Sequence, residues 1–210
     1  MQRYSYPRTY HLPWSPGATN DDKVIRNTNC FAYEQVVVTE KRDGENTTLY
    51  PDGYVHARSI DGTGKEYQSW ITRKWREVAY QLDADLHVCG ENLFARHSIA
   101  YDNLDEFFEV FGIYKGDRCL SWADTKMFTD QLGLKLVPTL YEGIYDEKRI
   151  KELCEQVIAD GGEGLVVRNA NSFMTDVFDY NVAKYVRANH VTTDTHWTKN
   201  WVPNVLKEKE

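Results

Sequence analysis

The strand-like segments of this chain arrive in pairs joined by turn residues, and its helical stretches are inserted between the pairs. That order does not suit a doubly wound parallel sheet, which needs a helical crossover after each strand. It predicts an α+β fold with antiparallel β-sheets flanked by helices. Residues 33–39 and 47–58 are enriched in Val, Thr and Tyr, and the turn residues between them suggest a surface hairpin. Residues 66–83 place Trp70, Ile71, Trp75, Val78, Ala79 and Leu82 near helical spacing. Residues 86–94 return to strand character, and 107–115 form a strong strand. Trp122 to Leu132 reads as a helix capped by Ser121 and closed by Gly133. Leu136 to Leu140 is a short strand. Asp146 to Ala159 is a helix with Ile150, Leu153, Cys154, Val157 and Ile158 on one face, ended by Gly161-Gly162. Leu165–Arg168 and Val182–Arg187 are the last strands. Residues 1–22, rich in Pro, Gly, Tyr and Trp, read as irregular, and Lys207 to Glu210 as a solvated tail. No repeat or linker divides the chain, so residues 1–210 are expected to form one domain.

An apolar fraction of 41% supports a real core. The net charge of -7 argues against a general nucleic-acid coat protein but leaves room for a local basic groove. The 6 Trp and 14 Tyr are many for this length, and such rings serve either cores or base stacking. The cysteines Cys30, Cys89, Cys119 and Cys154 form no C-x-x-C pair, so reduced, mostly buried thiols are expected. The N-terminus lacks an apolar h-region and no stretch nears the roughly 18 apolar residues of a membrane span, so neither export nor spanning is expected. No Gly-rich loop of the P-loop or dinucleotide type occurs, so a nucleotide would have to be held another way.

The apolar run Val36-Val37-Val38 leads to Thr39-Glu40-Lys41-Arg42-Asp43-Gly44. A lysine at a strand end beside carboxylates is either a solvated turn charge or an amine placed for chemistry. An amine attacks only when neutral; burial and nearby cations favour that form, and neighbouring carboxylates oppose it. Its company decides between the readings. Downstream, in order, come Gly90-Glu91-Asn92, FFEVFGIY (Phe107 to Tyr114), Glu163-Gly164-Leu165-Val166-Val167-Arg168 and Lys184-Tyr185-Val186-Arg187. This series resembles the motifs of the covalent lysyl-AMP nucleotidyltransferases: DNA ligases, RNA ligases and mRNA capping enzymes. The strings HLPWSPG (His11 to Gly17), His56-Ala57-Arg58-Ser59, GENLFARHSIAYDNL (Gly90 to Leu104) and AKYVRANHVTTDTHW (Ala183 to Trp197) are most similar to RNA ligases. The resemblance covers nearly the whole chain.

The resemblance implies an adenylation-domain fold without an OB domain, and an ATP-dependent RNA ligase using Mg2+, with Mn2+ as a substitute. Lys41 would attack the α-phosphate of ATP. Glu40 would help recognise adenine through its backbone or side chain. Asp43 would shape the turn or act as a direct ligand, and Gly44 could adopt a positive φ. Arg58 would meet a phosphate with its planar fork. Glu91 would accept from the ribose hydroxyls. Phe108 would stack on adenine: Phe107, Glu109, Phe111 and Ile113 share one face of a regular strand, and Phe108, Val110 and Gly112 the other. Glu163 would stand near the metal and Lys184 at the α-phosphate. Many relatives carry Lys-x-Lys at Lys184, but here Val186 is neutral; Arg187 could serve if the strand bends, or another basic residue could replace it. Arg168 would meet the substrate strand or pair with a carboxylate. His97, His190 and His196 are assigned no catalytic role.

The expected partner is RNA, as a nicked duplex or an RNA–DNA hybrid. The protein is expected to be a cytoplasmic monomer in a bacterial or phage-infected cell, with a partner protein as one way to supply missing grip on substrate. A GTP-dependent capping guanylyltransferase, a DNA ligase and a non-catalytic nucleotide- or RNA-binding module are the alternatives.

Overall fold

The computed structural model describes residues 1–188 and 201–208. The apolar runs of the chain build two sheets. The first has five strands in the order β1 (Tyr10–His11), β12 (Val182–Val186), β10 (Gly164–Asn169), β2 (Gln35–Lys41) and β9 (Thr139–Ile144). The second follows the order β11 (Phe173–Met174), β7 (Arg118–Cys119), β6 (Phe108–Lys115), β5 (Leu86–Asn92), β3 (Glu45–Leu49) and β4 (Val55–Ala57), with β8 (Lys135–Leu136) also paired to β6. Pairing is antiparallel throughout, except that β1 runs parallel to β12 and β8 parallel to β6. This is the α+β architecture expected from the strand pairs. Among the described residues there is no OB-type barrel.

Among the described residues, three α-helices flank the sheets: α1 (Ser69–Val78), α2 (Trp122–Gln131) and α3 (Glu147–Ala159). The helix expected over 66–83 is α1 with a short 3-10 turn at each end. Its Ile71 and Trp75 are fully buried with Leu49, Val88, Phe108, Val110 and Ile113. The Trp75 indole N–H donates to the Tyr50 carbonyl at 2.7 Å, so the one polar atom of a large buried ring is satisfied. Ser121 caps α2 by accepting the Asp124 N–H at 3.1 Å, and Asp146 caps α3 by accepting the Arg149 N–H at 3.0 Å. Ile150, Leu153 and Cys154 of α3 pack on Val36, Val38, Leu165 and Val167. All four cysteines are free; Cys89, Cys119 and Cys154 are buried and Cys30 is half-buried.

Four sequence expectations change. The hairpin over Thr39 to Tyr50 does not form: β2 and β3 belong to different sheets, and the turn between them carries the chain across. Val36, Val37 and Val38 are all at most 1% exposed, so β2 is buried on both faces and takes β10 and β9 as its neighbours. The short strand at Leu136 to Leu140 is two pieces, β8 and β9, separated at Pro138. The N-terminal stretch is not wholly irregular: Tyr10–His11 adds an edge strand to β12, and Leu12 is fully buried. The regular alternation expected along β6 breaks at Phe111. Cys89 pairs with Gly112 and Gly90 with Val110, which leaves Phe111 opposite no residue, as in a β-bulge. Ile113 therefore joins Phe108 and Val110 in the core under α1. Of the tail, Lys207 is ion-paired to Asp105; residues 209–210 lie outside the described residues.

Candidate active site

A cavity of about 340 Å³ opens between the two sheets where β2 ends. The strand register builds one wall. Thr39, Val166 and Lys184 stand side by side across β2, β10 and β12, and all three line the cavity. Lys41 is opposite Gly164, so it meets Glu163, the residue just before β10. A side chain at Gly164 is excluded: a Cβ there would lie 1.9 Å from the Tyr185 carbonyl oxygen, and the close approach of β10 to β12 needs its absence.

The Lys41 Nζ donates to Glu163 Oε2 at 2.5 Å, with the lysine side chain 25% exposed and the carboxylate 8%. Burial pulls the amine down, but Glu163, Glu91 and Asp43 outweigh it and hold Lys41 above the ordinary lysine value. Glu91, on β5, accepts the Gly44 N–H at 3.0 Å. Burial pushes its carboxyl up to about 8; Lys41 and the Gly44 N–H oppose that, while Glu163 and Asp43 add to it. Lys184 shifts the other way. Burial lowers it, as do the cations Lys41 and Arg58, against the pull of Asp22 and Glu163. The cavity thus holds cations and carboxylates close together, with the ordinary charge state of Glu91 and Lys184 made costly.

Of the residues singled out from sequence, Glu40, Lys41, Arg58, Glu91 and Lys184 line this cavity. Glu163 stands behind Lys41. Phe108 is not with them. It is 1% exposed in the core under α1; of the rings on β6 it is Phe111 and Tyr114 that line the cavity, together with Tyr6 and Phe173, and Phe111 stands on the strand face opposite Phe108. Arg187 is also absent from the lining; its backbone N–H donates to the Glu163 carbonyl at 3.0 Å, and Val186 is buried. Arg168 lines the cavity, yet its guanidinium donates to the carbonyls of Phe111, Leu120 and Asn169 and has no carboxylate partner among the described residues. Asp43 pins the turn to the distant segment 98–101: its Oδ2 accepts the N–H groups of Ser98 and Ile99, both at 2.7 Å, and its own N–H donates to the Tyr101 hydroxyl. Gly44 does not take a positive φ, and its need is steric: a Cβ would lie 2.6 Å from the Asn92 carbonyl oxygen. His97 is pulled down to about 4 by burial, with Lys41 adding to that and Asp43 opposing. His190 and His196 lie outside the described residues.

Several cavity residues carried no readable signal. Arg42 donates to both oxygens of Glu109 (2.7 and 3.1 Å) and to Glu40 (2.8 Å), over the ring of Tyr101. Alternation alone put Glu109 on an inward face, but nothing in the sequence paired it with Arg42. Asn46 reaches the cavity with a buried side-chain oxygen that has no partner among the described residues. Tyr6, Arg8 and Asp22 come from the segment read as irregular.

No group of three or more His, Cys, Asp or Glu side chains comes together as a metal site among the described residues. A hard cation that takes a single protein carboxylate such as Glu163 and completes its shell with phosphate and water oxygens would fit these residues.

The RNA ligase family model matches residues 34–186. An archaeal ATP-dependent RNA ligase is similar in structure, with TM-score 0.59 and 19% identity over 89% of this chain and 49% of its own. An Aquifex aeolicus protein provisionally assigned as an ATP-dependent DNA ligase gives TM-score 0.59 and 19% identity, over 90% of this chain and 51% of its own. A mutant Naegleria gruberi RNA ligase with AMP and Mn gives TM-score 0.54 and 19% identity, over 87% and 57%. The chain spans about half the length of the first two. No curated protein matches it. At such identity the solved structures speak for the fold, which they share.

Proposed function

The chain belongs to the RNA ligase family, and from that premise we propose that it is an ATP-dependent RNA ligase joining 3′-hydroxyl and 5′-phosphate RNA ends through a lysyl-AMP. The observation that carries this reading is the 2.5 Å contact of Lys41 with Glu163 at the end of a rigid strand, inside a cavity lined by Glu91, Lys184 and an aromatic ring. In the first step the Lys41 amine attacks the α-phosphorus, a P–N bond forms, and the bond to pyrophosphate breaks. In the second, a 5′-phosphate oxygen of RNA takes the AMP and Lys41 leaves. In the third, the 3′-hydroxyl attacks that phosphate and AMP departs. Splitting one condensation into such transfers is the use of a covalent nucleophile.

The residues divide the work. Lys41 cannot attack while Glu163 holds a proton on it, so the pair must open first. Glu163 would hold a divalent cation, and such an ion would supply charge neutralisation for the phosphates. Lys184, with Arg58 at the lip, faces the developing phosphate charge. Phe111 offers its ring to the base in place of Phe108, and Glu91 its oxygens to the ribose. Residues 1–210 act as one nucleotidyltransferase domain, monomeric and cytoplasmic, in a bacterial or phage-infected cell. A nicked duplex or RNA–DNA hybrid is the substrate, and a partner protein adds grip. No helix among the described residues is long and apolar enough to cross a membrane.

The test is incubation with α-labelled ATP or GTP and Mg2+, wild type beside Lys41→Ala, on a denaturing gel. Label from ATP, absent in the variant, is expected. Label from GTP alone would move the protein to the capping class. No label from either, in a folded protein, would leave a non-catalytic module.

A further inference from the structure

Six cationic side chains line the cavity: Arg8, Lys41, Arg42, Arg58, Arg168 and Lys184. Three are already engaged. Lys41 is paired to Glu163, Arg42 to Glu109 and Glu40, and Arg168 to backbone carbonyls. Arg58 and Lys184 form no ion pair among the described residues and are already assigned to phosphate. That leaves Arg8. Its guanidinium donates to the Asp21 carbonyl at 2.6 Å and makes a longer contact, 3.3 Å, with Asp22 Oδ1. It remains 44% exposed.

The chain on either side of Arg8 is fixed. Tyr6 packs edge-on against Phe111, with ring centroids 5.1 Å apart, and also against Phe178. Tyr10 pairs with Ala183 and His11 with Lys184, so the arm is then bound to the strand that carries Lys184. Pro7, between Tyr6 and Arg8, removes a backbone freedom. From Tyr6 to Arg8 an extended chain covers about 7 Å. The arm therefore runs along the cavity from the ring packed on Phe111 to the strand that carries Lys184, with Arg8 between the two. Asp22 joins the two cations, since it contacts Arg8 and also interacts electrostatically with Lys184.

We propose that Arg8 is a phosphate-binding residue for the triphosphate of the nucleotide, acting beside Lys184 as the cation that neither Val186 nor Arg187 supplies. This rests on the nucleotide-binding reading above. A guanidinium is suited to the role because its fork offers two parallel donors to one phosphate. In the free protein, Asp21 and Asp22 hold that fork in place, so little ordering remains to be done when a nucleotide arrives.

The experiment compares wild type, Arg8→Gln and Arg8→Lys in two assays, AMP labelling across an ATP titration and transfer of AMP to 5′-phosphorylated RNA. Arg8 is exposed, so both variants are expected to melt close to wild type. For Arg8→Gln, the KM for ATP in labelling should rise roughly tenfold or more, the scale of one charge-assisted contact. Arg8→Lys should recover part of it. An unchanged KM for ATP in Arg8→Gln overturns the proposal. So does normal labelling with impaired transfer to RNA, which would assign Arg8 to the RNA end. A wild-type chain that takes no label removes the nucleotide reading and this inference together, whereas a defect of the inference alone shows only in the variants.

Discussion

Glu91 bears a large electrostatic cost in the free protein. Its carboxyl is raised from an ordinary 4.5 to about 8, first by burial and then by Glu163 and Asp43. A group raised on folding stabilises the fold below its unfolded pKa, and that contribution is lost as pH climbs through the folded value. The window is therefore about 4.5 to 8. Glu91→Gln keeps an oxygen for the Gly44 N–H and has no charge to bury. Its melting temperature should gain on that of wild type as pH rises from about 5 to about 9; a constant difference across that range would contradict the assignment. The two phenylalanines give a paired test. Phe108→Ala should cost about 3–5 kcal/mol in denaturant unfolding. Phe111→Ala should cost less stability and raise the KM for ATP in the labelling assay. At this scale the sequence was legible where a motif fixed both residue and spacing: Lys41, Glu91 and Lys184 share one cavity, with Glu163 in contact. It was not legible at Ile113, which alternation groups with Phe111 and the bulge turns into the core beside Phe108, because a bulge depends on how β6 pairs with β5 and no local pattern in FFEVFGIY encodes that. Arg8 and Asp22 were hidden for a similar reason. Their place depends on an edge strand of two residues, Tyr10–His11, too short to leave a period.

Elements are joined at the site by contacts that no single strand contains. Arg42 directly follows the first sheet's β2 and Glu109 belongs to β6 of the second, so their paired hydrogen bonds tie sheet to sheet. Glu109 is 2% exposed and would be left buried without its partner if Arg42 were lost. Arg42→Met should therefore cost about 3 kcal/mol or more, and Arg42→Met with Glu109→Gln should recover part of that loss. Additive losses in a double-mutant cycle would mean that the two are not coupled. Within the first sheet, Gly164→Ala forces β10 away from β12, since its Cβ meets backbone. A loss of at least about 2 kcal/mol is expected in chemical denaturation. Long elements were the readable ones: α2 starts at the Ser121 cap the sequence displays, and α3 starts one residue after the expected Asp146, which caps it. The crossing of β2 to β3 was misread as a hairpin because turn residues mark a change of direction and carry no record of which sheet receives the next strand.

For the molecule as a whole, the net charge of -7 and the cations of the cavity set opposite expectations for RNA. Attraction should come from a few phosphate contacts at the cavity, about two or three in all with Arg58 at its lip, against a repelling background. The logarithm of the RNA association constant should fall against the logarithm of salt with a slope of about -2 to -3. A slope several times steeper would require a wider basic surface than the cavity provides. The bulge of β6 has a consequence of another kind. Phe111 is a supernumerary letter: strike it out, and the flanking residues fall into unbroken alternation, with Phe108, Val110 and Ile113 inward as before. A chain spelled only for folding would omit it. Shortened by that one residue, the protein should keep its architecture and lose its hold on the nucleotide, so that at this position the demand of the ligand and the demand of the sheet can be told apart by a single deletion.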